Sequence, residues 1–208
     1  GYPFRANSDM LYLCGWREDE GVFLAHNRNG AMESRLFVPP RDTTKEIWEG
    51  IRIGVEGAKS WPVSSTTSIE NLESEILQMI GQFDHVYTIL GISETMDNIC
   101  KEVEAVSDPR PIIDPMRRIK STKEIQYMQE SATIGALSHI LAMKNAAPGM
   151  GEWEIQSNVE GHFIKSKSTW SFPSIVGGGS NATVLHYKNN DCIVNDGDLV
   201  LVDAGCEV

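Results

Sequence analysis

Cysteines are few, long apolar runs are absent and positive charge is scarce, and each shortage removes a class of function. Four cysteines occur in 208 residues: Cys14, Cys100, Cys192 and Cys206. None forms a C-x-x-C pair, which argues against a zinc knuckle or a dithiol redox site. Cys14 and Cys206 have apolar flanks, the setting of buried thiols in a reducing compartment. No stretch approaches the ~20 apolar residues of a membrane-spanning helix, and no signal peptide opens the chain. Lys and Arg number 18 against 29 Asp and Glu, a net charge of -11. Such a field repels phosphate backbones and anionic lipid, so neither nucleic acid nor a membrane is an expected partner. Internal repeats and low-complexity segments are also missing. The run Gly177-Gly178-Gly179-Ser180 lacks the G-x-x-x-x-G-K-[ST] spacing of a phosphate loop. Ser174 and Ser180 lack the setting of a nucleophile elbow, which disfavours serine hydrolysis.

What is present is an ordinary globular balance, 41% hydrophobic and 23% charged, long enough for one large domain or two small ones. The chain opens in mid-pattern, Gly1-Tyr2-Pro3-Phe4-Arg5 leading straight into an apolar run, so a natural N-terminus and any targeting signal are expected to lie outside it. In the first half Met10 to Cys14, Gly21 to Ala25, Leu36 to Val38 and Val86 to Leu90 read as strands. Thr43 to Ile53, Ser68 to Ile80 and Glu94 to Val106 read as helices. Interleaved strands and helices predict an α/β layer structure. Three prolines between Asp108 and Pro115 predict a linker there, dividing the chain into domains 1–110 and 111–208. Ser121-Thr122-Lys123-Glu124 has capping-box spacing. It opens a predicted helix in which Ile125, Met128, Ala132, Ala136, Ile140 and Met143 recur at helical steps, ending before Pro148-Gly149. A second helix is expected from Gly151 or Glu152 to about Lys167. Strands follow at Phe172 to Val176, Cys192 to Val194 and Leu199 to Val202, with a hairpin-type turn at Asp196-Gly197.

Three residues stand out chemically. Asp203 closes the apolar run Leu199 to Val202, which should be buried on both faces. A carboxylate there would lose hydration at a cost of several kcal/mol and needs a metal ion, a basic partner or backbone N–H groups to offset it. The plainer reading, an Asp capping the loop after a strand, stays open on the residues alone. His186 follows the glycine loop, where backbone can pass close to a ligand, yet a His beside an aromatic is as readily structural. Trp48 lies between Ile47 and Ile51 on a predicted helix and suits either packing or an interface.

Taken together, these stretches resemble a known family. Phe172 to Gly179, Leu185-His186-Tyr187 and Asp196 to Glu207 resemble the catalytic domain of aminopeptidase P, and Arg117 to Ile125 its opening helix. Tyr2 to Gly15, Leu36 to Asp42 and Glu46 to Gly50 are similar to that family's N-terminal domain. Tyr12 to Gly15 and His186 to Asn190 look nearest to the mitochondrial aminopeptidase 3 type, which leaves a mitochondrial or a cytoplasmic location open. The resemblance implies a creatinase-like N-terminal α/β domain followed by the first part of a pita-bread α+β catalytic domain. It implies removal of the N-terminal residue from peptides with proline in second position. The rivals are a prolidase acting on Xaa-Pro dipeptides and a non-catalytic pita-bread peptide- or protein-binding module. The family's ligand set of two Asp, one His and two Glu holds two divalent ions, typically manganese. Asp203 matches the first Asp ligand and His186 the substrate-binding His near the scissile amide. The remaining ligands are expected beyond Val208, so these residues alone should be inactive and their second half poorly stabilised. Trp48 matches a region at subunit contacts, which implies a homodimer or homotetramer.

Overall fold

The computed structural model describes residues 4–208. Of the opening stretch that resembles the N-terminal domain, Tyr2 and Pro3 lie outside the described residues. The chain divides into two compact units between Ile119 and Lys120.

The first unit opens with helix α1 (Ser8–Cys14). This corrects the strand expected at Met10 to Cys14. The Asn7 side chain accepts the Asp9 N–H at the start, and Gly15 adopts φ 70° at the end. An N-cap and a left-handed C-terminal glycine outweigh a short apolar run that fits either element. Strands β1 (Val22–Arg28) and β2 (Ala31–Val38) form an antiparallel hairpin, with Arg28 opposite Ala31. Asn29 and Gly30 turn it at φ 53° and 82°, the conformation that favours Asn-Gly in two-residue hairpins. After α2 (Thr43–Glu49) and α3 (Gly54–Ala58), β3 (Ser65–Ser68) pairs with β2 in parallel.

Leu36, Phe37 and Val38 are all completely buried. Strand alternation sends them to two cores. Leu36 and Val38 pack with Cys14, Trp16 and Ala58. Phe37 packs on the other face with Leu72, Ile76 and Ile99. A strand covered on both sides is the mark of an α/β layer arrangement. The second core draws on α4 (Leu72–Ile80) and α5 (Glu94–Cys100), and two short strands, β4 (Val86–Tyr87) and β5 (Val106–Ser107), pair in parallel. The unit ends in α6 (Arg110–Arg118), where a linker was expected. Pro111 sits in its first turn, where the missing N–H has no intrahelical partner to lose. Pro115 falls one turn later, so the lost bond is one to the Pro111 carbonyl.

The second unit is built on α7 (Thr122–Asn145) and α8 (Glu152–Lys165), which pack against each other. Ser121 and Glu124 form the expected capping box: Ser121 N–H donates to Glu124 Oε2 at 2.7 Å and Glu124 N–H to Ser121 Oγ at 3.3 Å. The buried stripe of α7 is Ile134, Ser138 and Ala142, whereas Ile125, Met128, Ile140 and Met143 are exposed. The helix carries apolar residues on more than one face, so periodicity alone did not select the buried one. Short strands follow: β6 (Thr169–Trp170), β7 (Ile175–Gly178), β8 (Val200–Asp203) and β9 (Cys206–Glu207). Strand β7 pairs with β8 and β6 with β9, both antiparallel. Cys192 to Val194 makes only a single bridge, Gly151 to Ile193, in place of the expected strand. Ile155, Val159 and Phe163 of α8 meet Val176 and Val194 in the core. Cys14, Cys100 and Cys206 are buried free thiols and Cys192 is exposed. Among the described residues no helix is long and apolar enough to cross a membrane.

Candidate functional site

The β7–β8 hairpin places Asp203. Ile175 lies opposite Asp203 and Gly178 opposite Val200. Val200 and Val202 turn toward the core, while Leu201 and Asp203 are exposed. The expectation of a strand buried on both faces is therefore corrected, and with it the desolvation argument for Asp203. Strand β8 pairs with β7 alone in a two-stranded sheet, and its alternating burial shows that only one of its faces is packed. Among the described residues no hydrogen bond or ion pair engages the Asp203 side chain, which leaves its oxygens free as donors to a cation.

His186 lies in a turn beyond the other end of this hairpin. After β7 the chain makes a 3₁₀ turn over Gly179–Thr183. The Tyr187 N–H then donates to the Val184 carbonyl at 3.3 Å, which leaves Leu185 and His186 as exposed corner residues. Three residue steps separate the glycine end of the hairpin from Asp203, roughly 10 Å of strand. No hydrogen bond joins His186 to Asp203 among the described residues. Trp48 stands in the first unit, on α2, and is 86% exposed, flanked by exposed Ile47 and Ile51.

The glycine run is tight for internal reasons. A Cβ on Gly177 would lie 2.8 Å from the backbone carbonyl of Asn181, and one on Gly178 would lie 2.9 Å from Val194 Cγ2. Gly179 takes φ 55° with Asp198 Oδ1 3.1 Å from the position of a Cβ. The backbone here passes close to the protein itself rather than to a cradle for a ligand.

A central residue that sequence reasoning missed is Glu152. It is 0% exposed at the first position of α8. Its Oε1 accepts the Gly178 N–H at 2.8 Å and the Asn181 amide at 3.0 Å. Its Oε2 accepts the Tyr187 hydroxyl at 2.8 Å and the Cys192 N–H at 3.0 Å. Burial pushes the carboxyl upward, but the Gly178 and Cys192 amides, Asn181 and Tyr187 outweigh it and hold the group below the usual range. For Tyr187, burial and the bond to Glu152 push the phenol well above its ordinary value. The position near the α8 N-terminus also favours a negative charge. The only sequence signal was a second acid in the first turn. Glu154 accepts the Gly151 N–H at 2.7 Å and so takes the capping role, which left Glu152 surplus.

Glu152, Asp191 and Cys192 bring one ligand atom each within 4.8 Å of one another. This does not make a metal centre, because both Glu152 oxygens already accept two hydrogen bonds apiece. A cation would have to displace backbone donors that have no other partner nearby. A second anchor closes the same segment. Asn190, buried at φ 50°, accepts the Val176 N–H at 3.0 Å and donates to Ser174 O at 2.8 Å and Gln156 Oε1 at 2.9 Å.

Comparison with known proteins matches both units. Residues 1–89 match the aminopeptidase P N-terminal domain, and residues 126–208 match metallopeptidase family M24. A Haemophilus influenzae Xaa-Pro aminopeptidase is 38% identical over 99% of this chain and 49% of its own length. The solved proline aminopeptidase P II of Yersinia pestis superposes with a TM-score of 0.91 at 33% identity, over 99% of this chain and 51% of that one. Human Xaa-Pro aminopeptidase 3 is 26% identical over 99% of this chain and 44% of its own length. The bacterial enzyme is thus more similar to this chain than the human Xaa-Pro aminopeptidase 3, the type to which Tyr12 to Gly15 and His186 to Asn190 were expected to lie nearest. The chain spans about half the length of the relatives it matches.

Proposed function

We infer that this chain, which belongs to the aminopeptidase P family of M24 metallopeptidases, supplies the first metal ligand and a substrate-contacting turn to an exopeptidase. The reaction is removal of an N-terminal residue from peptides with proline in second position. One observation carries the assignment: the Asp203 carboxylate stands unengaged at the end of a strand whose inner face is packed. Rigid support with a free oxygen donor is what a metal ligand requires.

The donor chemistry fits a hard divalent cation such as manganese, and Asp203 is the residue that would hold it. Two such ions, when bound, supply Lewis acidity and an acidified water. The chain's own residues do the rest. Proline makes the scissile bond a tertiary amide with no N–H, so recognition falls on carbonyl oxygen and ring shape. His186, exposed at the corner of its turn, presents an imidazole N–H suited to that oxygen. One carboxylate cannot hold two ions, so residues 1–208 alone are read as inactive. Trp48, with Ile47 and Ile51, is read as a contact between subunits of a homodimer or homotetramer.

The test uses the protein continued to the full length of its relatives. It should cleave an Xaa-Pro peptide before proline when manganese is added. Asp203→Asn should lose at least about a hundredfold in kcat/KM, since residues one layer beyond a ligand already cost 10- to 100-fold. An intact, folded protein that leaves Xaa-Pro peptides uncut with manganese sinks the peptidase reading in favour of a binding module.

A further inference from the structure

The four donors that Glu152 satisfies all belong to the segment 178–192. His186 lies within that segment, immediately before Tyr187. Its own side chain is exposed at a turn corner, a place where a ring is ordinarily mobile. The residue after it is the opposite: the Tyr187 hydroxyl lies 2.8 Å from Glu152 Oε2 and 3.0 Å from Asp191 Oδ1, the buried Glu152 being the nearer acceptor, and it receives the Asn181 amide at 3.1 Å. The Tyr187 N–H also closes the turn onto Val184 at 3.3 Å. A buried anchor is thus joined to an exposed tip by a single peptide bond.

A scaffold role alone explains this poorly. A fully buried carboxylate is an expensive way to hold a loop, because removing either partner leaves unpaired charge or donors. Asn190 already secures the returning end of the segment with three neutral hydrogen bonds. The charged group takes both ends of the segment, through the Gly178 and Cys192 N–H groups, and reaches its middle through Asn181 and the Tyr187 hydroxyl, next to His186. Hydrogen bonds to an ionised group are about twice as strong as neutral ones, which suits a residue whose direction must be set to a fraction of an ångström.

We propose that Glu152 is a positioning residue that acts through Tyr187 to hold His186 in its working direction. The inference rests on the reading of His186 as the substrate-contacting group. The carboxylate touches no substrate; it fixes the Tyr187 ring, and the ring fixes the adjoining turn.

The experiment compares Tyr187→Phe, Glu152→Gln, His186→Ala and the double variant His186→Ala/Tyr187→Phe in the full-length, metal-loaded protein. Tyr187→Phe keeps the ring and removes the tether. It should bind manganese as the parent does and lose about ten- to a hundredfold in kcat/KM, the range for a misplaced catalytic-site group. Glu152→Gln should show the same loss; if it fails to fold, Tyr187→Phe decides alone. The double variant separates positioning from mere support. If Tyr187 acts through His186, the double variant is no slower than His186→Ala, within about twofold. Losses that multiply instead, or a Tyr187→Phe protein at parental kcat/KM beside an impaired His186→Ala, overturn the positioning role. A His186→Ala protein at parental rate overturns the reading of His186 beneath it.

Discussion

The closest packing beside the candidate site makes Gly177→Ala a severe local test. Gly177 is buried in β7, and its φ is not in the left-handed range, so conformational strain plays no part. The obstacle is steric: a Cβ would stand 2.8 Å from both the carbonyl carbon and oxygen of Asn181 and 3.0 Å from the Ala182 nitrogen. These are backbone atoms of the 3₁₀ turn and cannot swing aside as a side-chain tip could. Relief requires the turn to shift by several tenths of an ångström. That stretches the Asn181 bond to Glu152 Oε1, now 3.0 Å, and its bond to Tyr187, now 3.1 Å. Overpacking of this kind costs about 1–3 kcal/mol. Gly161→Ala in α8 is the internal control, because a Cβ there meets nothing within 4 Å. A helix-interior glycine replaced by alanine gains about 1 kcal/mol. The two substitutions add the same methyl to neighbouring elements and should move the urea midpoint in opposite directions. In the full-length protein Gly177→Ala should also lower kcat/KM, whereas Gly161→Ala should not. Equal midpoints for the two variants, or a Gly177→Ala protein as stable as the parent, would refute the packing argument.

Three further outcomes are expected. The folded-state carboxyl of Glu152 is held below its ordinary value, so its stabilisation is fully present above about pH 4.5 and is lost as the pH falls through the lower folded value; acid titration followed by near-UV circular dichroism should show Glu152→Gln flattening that loss. Trp48→Ala, which removes an 86% exposed apolar side chain, should weaken self-association of the full-length protein in sedimentation velocity by about tenfold or more while leaving the protomer's unfolding free energy within about 0.5 kcal/mol of the parent; unchanged association removes Trp48 from the interface. Residues 1–208 alone should show no manganese-dependent cleavage of an Xaa-Pro peptide, and measurable turnover would contradict the one-carboxylate argument.

What was legible in the sequence was whatever depended on neighbours in the chain. The Ser121–Glu124 box, the helix stop before Pro148-Gly149 and the apolar run Leu36 to Val38 are local patterns, and each appears where expected. Two local signals compete with the patterns around them: Asn7 and Gly15 cap a helix across residues that also suit a strand, and Pro111 is harmless in a first turn. What was not legible depended on partners far along the chain. Nothing near Asp203 reveals that β8 has a single neighbouring strand and one open face. Nothing near Glu152 reveals that donors 26 to 40 residues away converge on it. The difference matters for function. A motif identifies Asp203 and His186 by residue type, but a type does not act until something holds it in place. For Asp203 that support is the ordinary hairpin β7–β8, while for His186 it is a buried carboxylate that looks, in the sequence, like one more acid at the start of a helix. The residues that do the holding are therefore where sequence motifs are weakest, and where substitutions outside every motif should have their largest effect on rate.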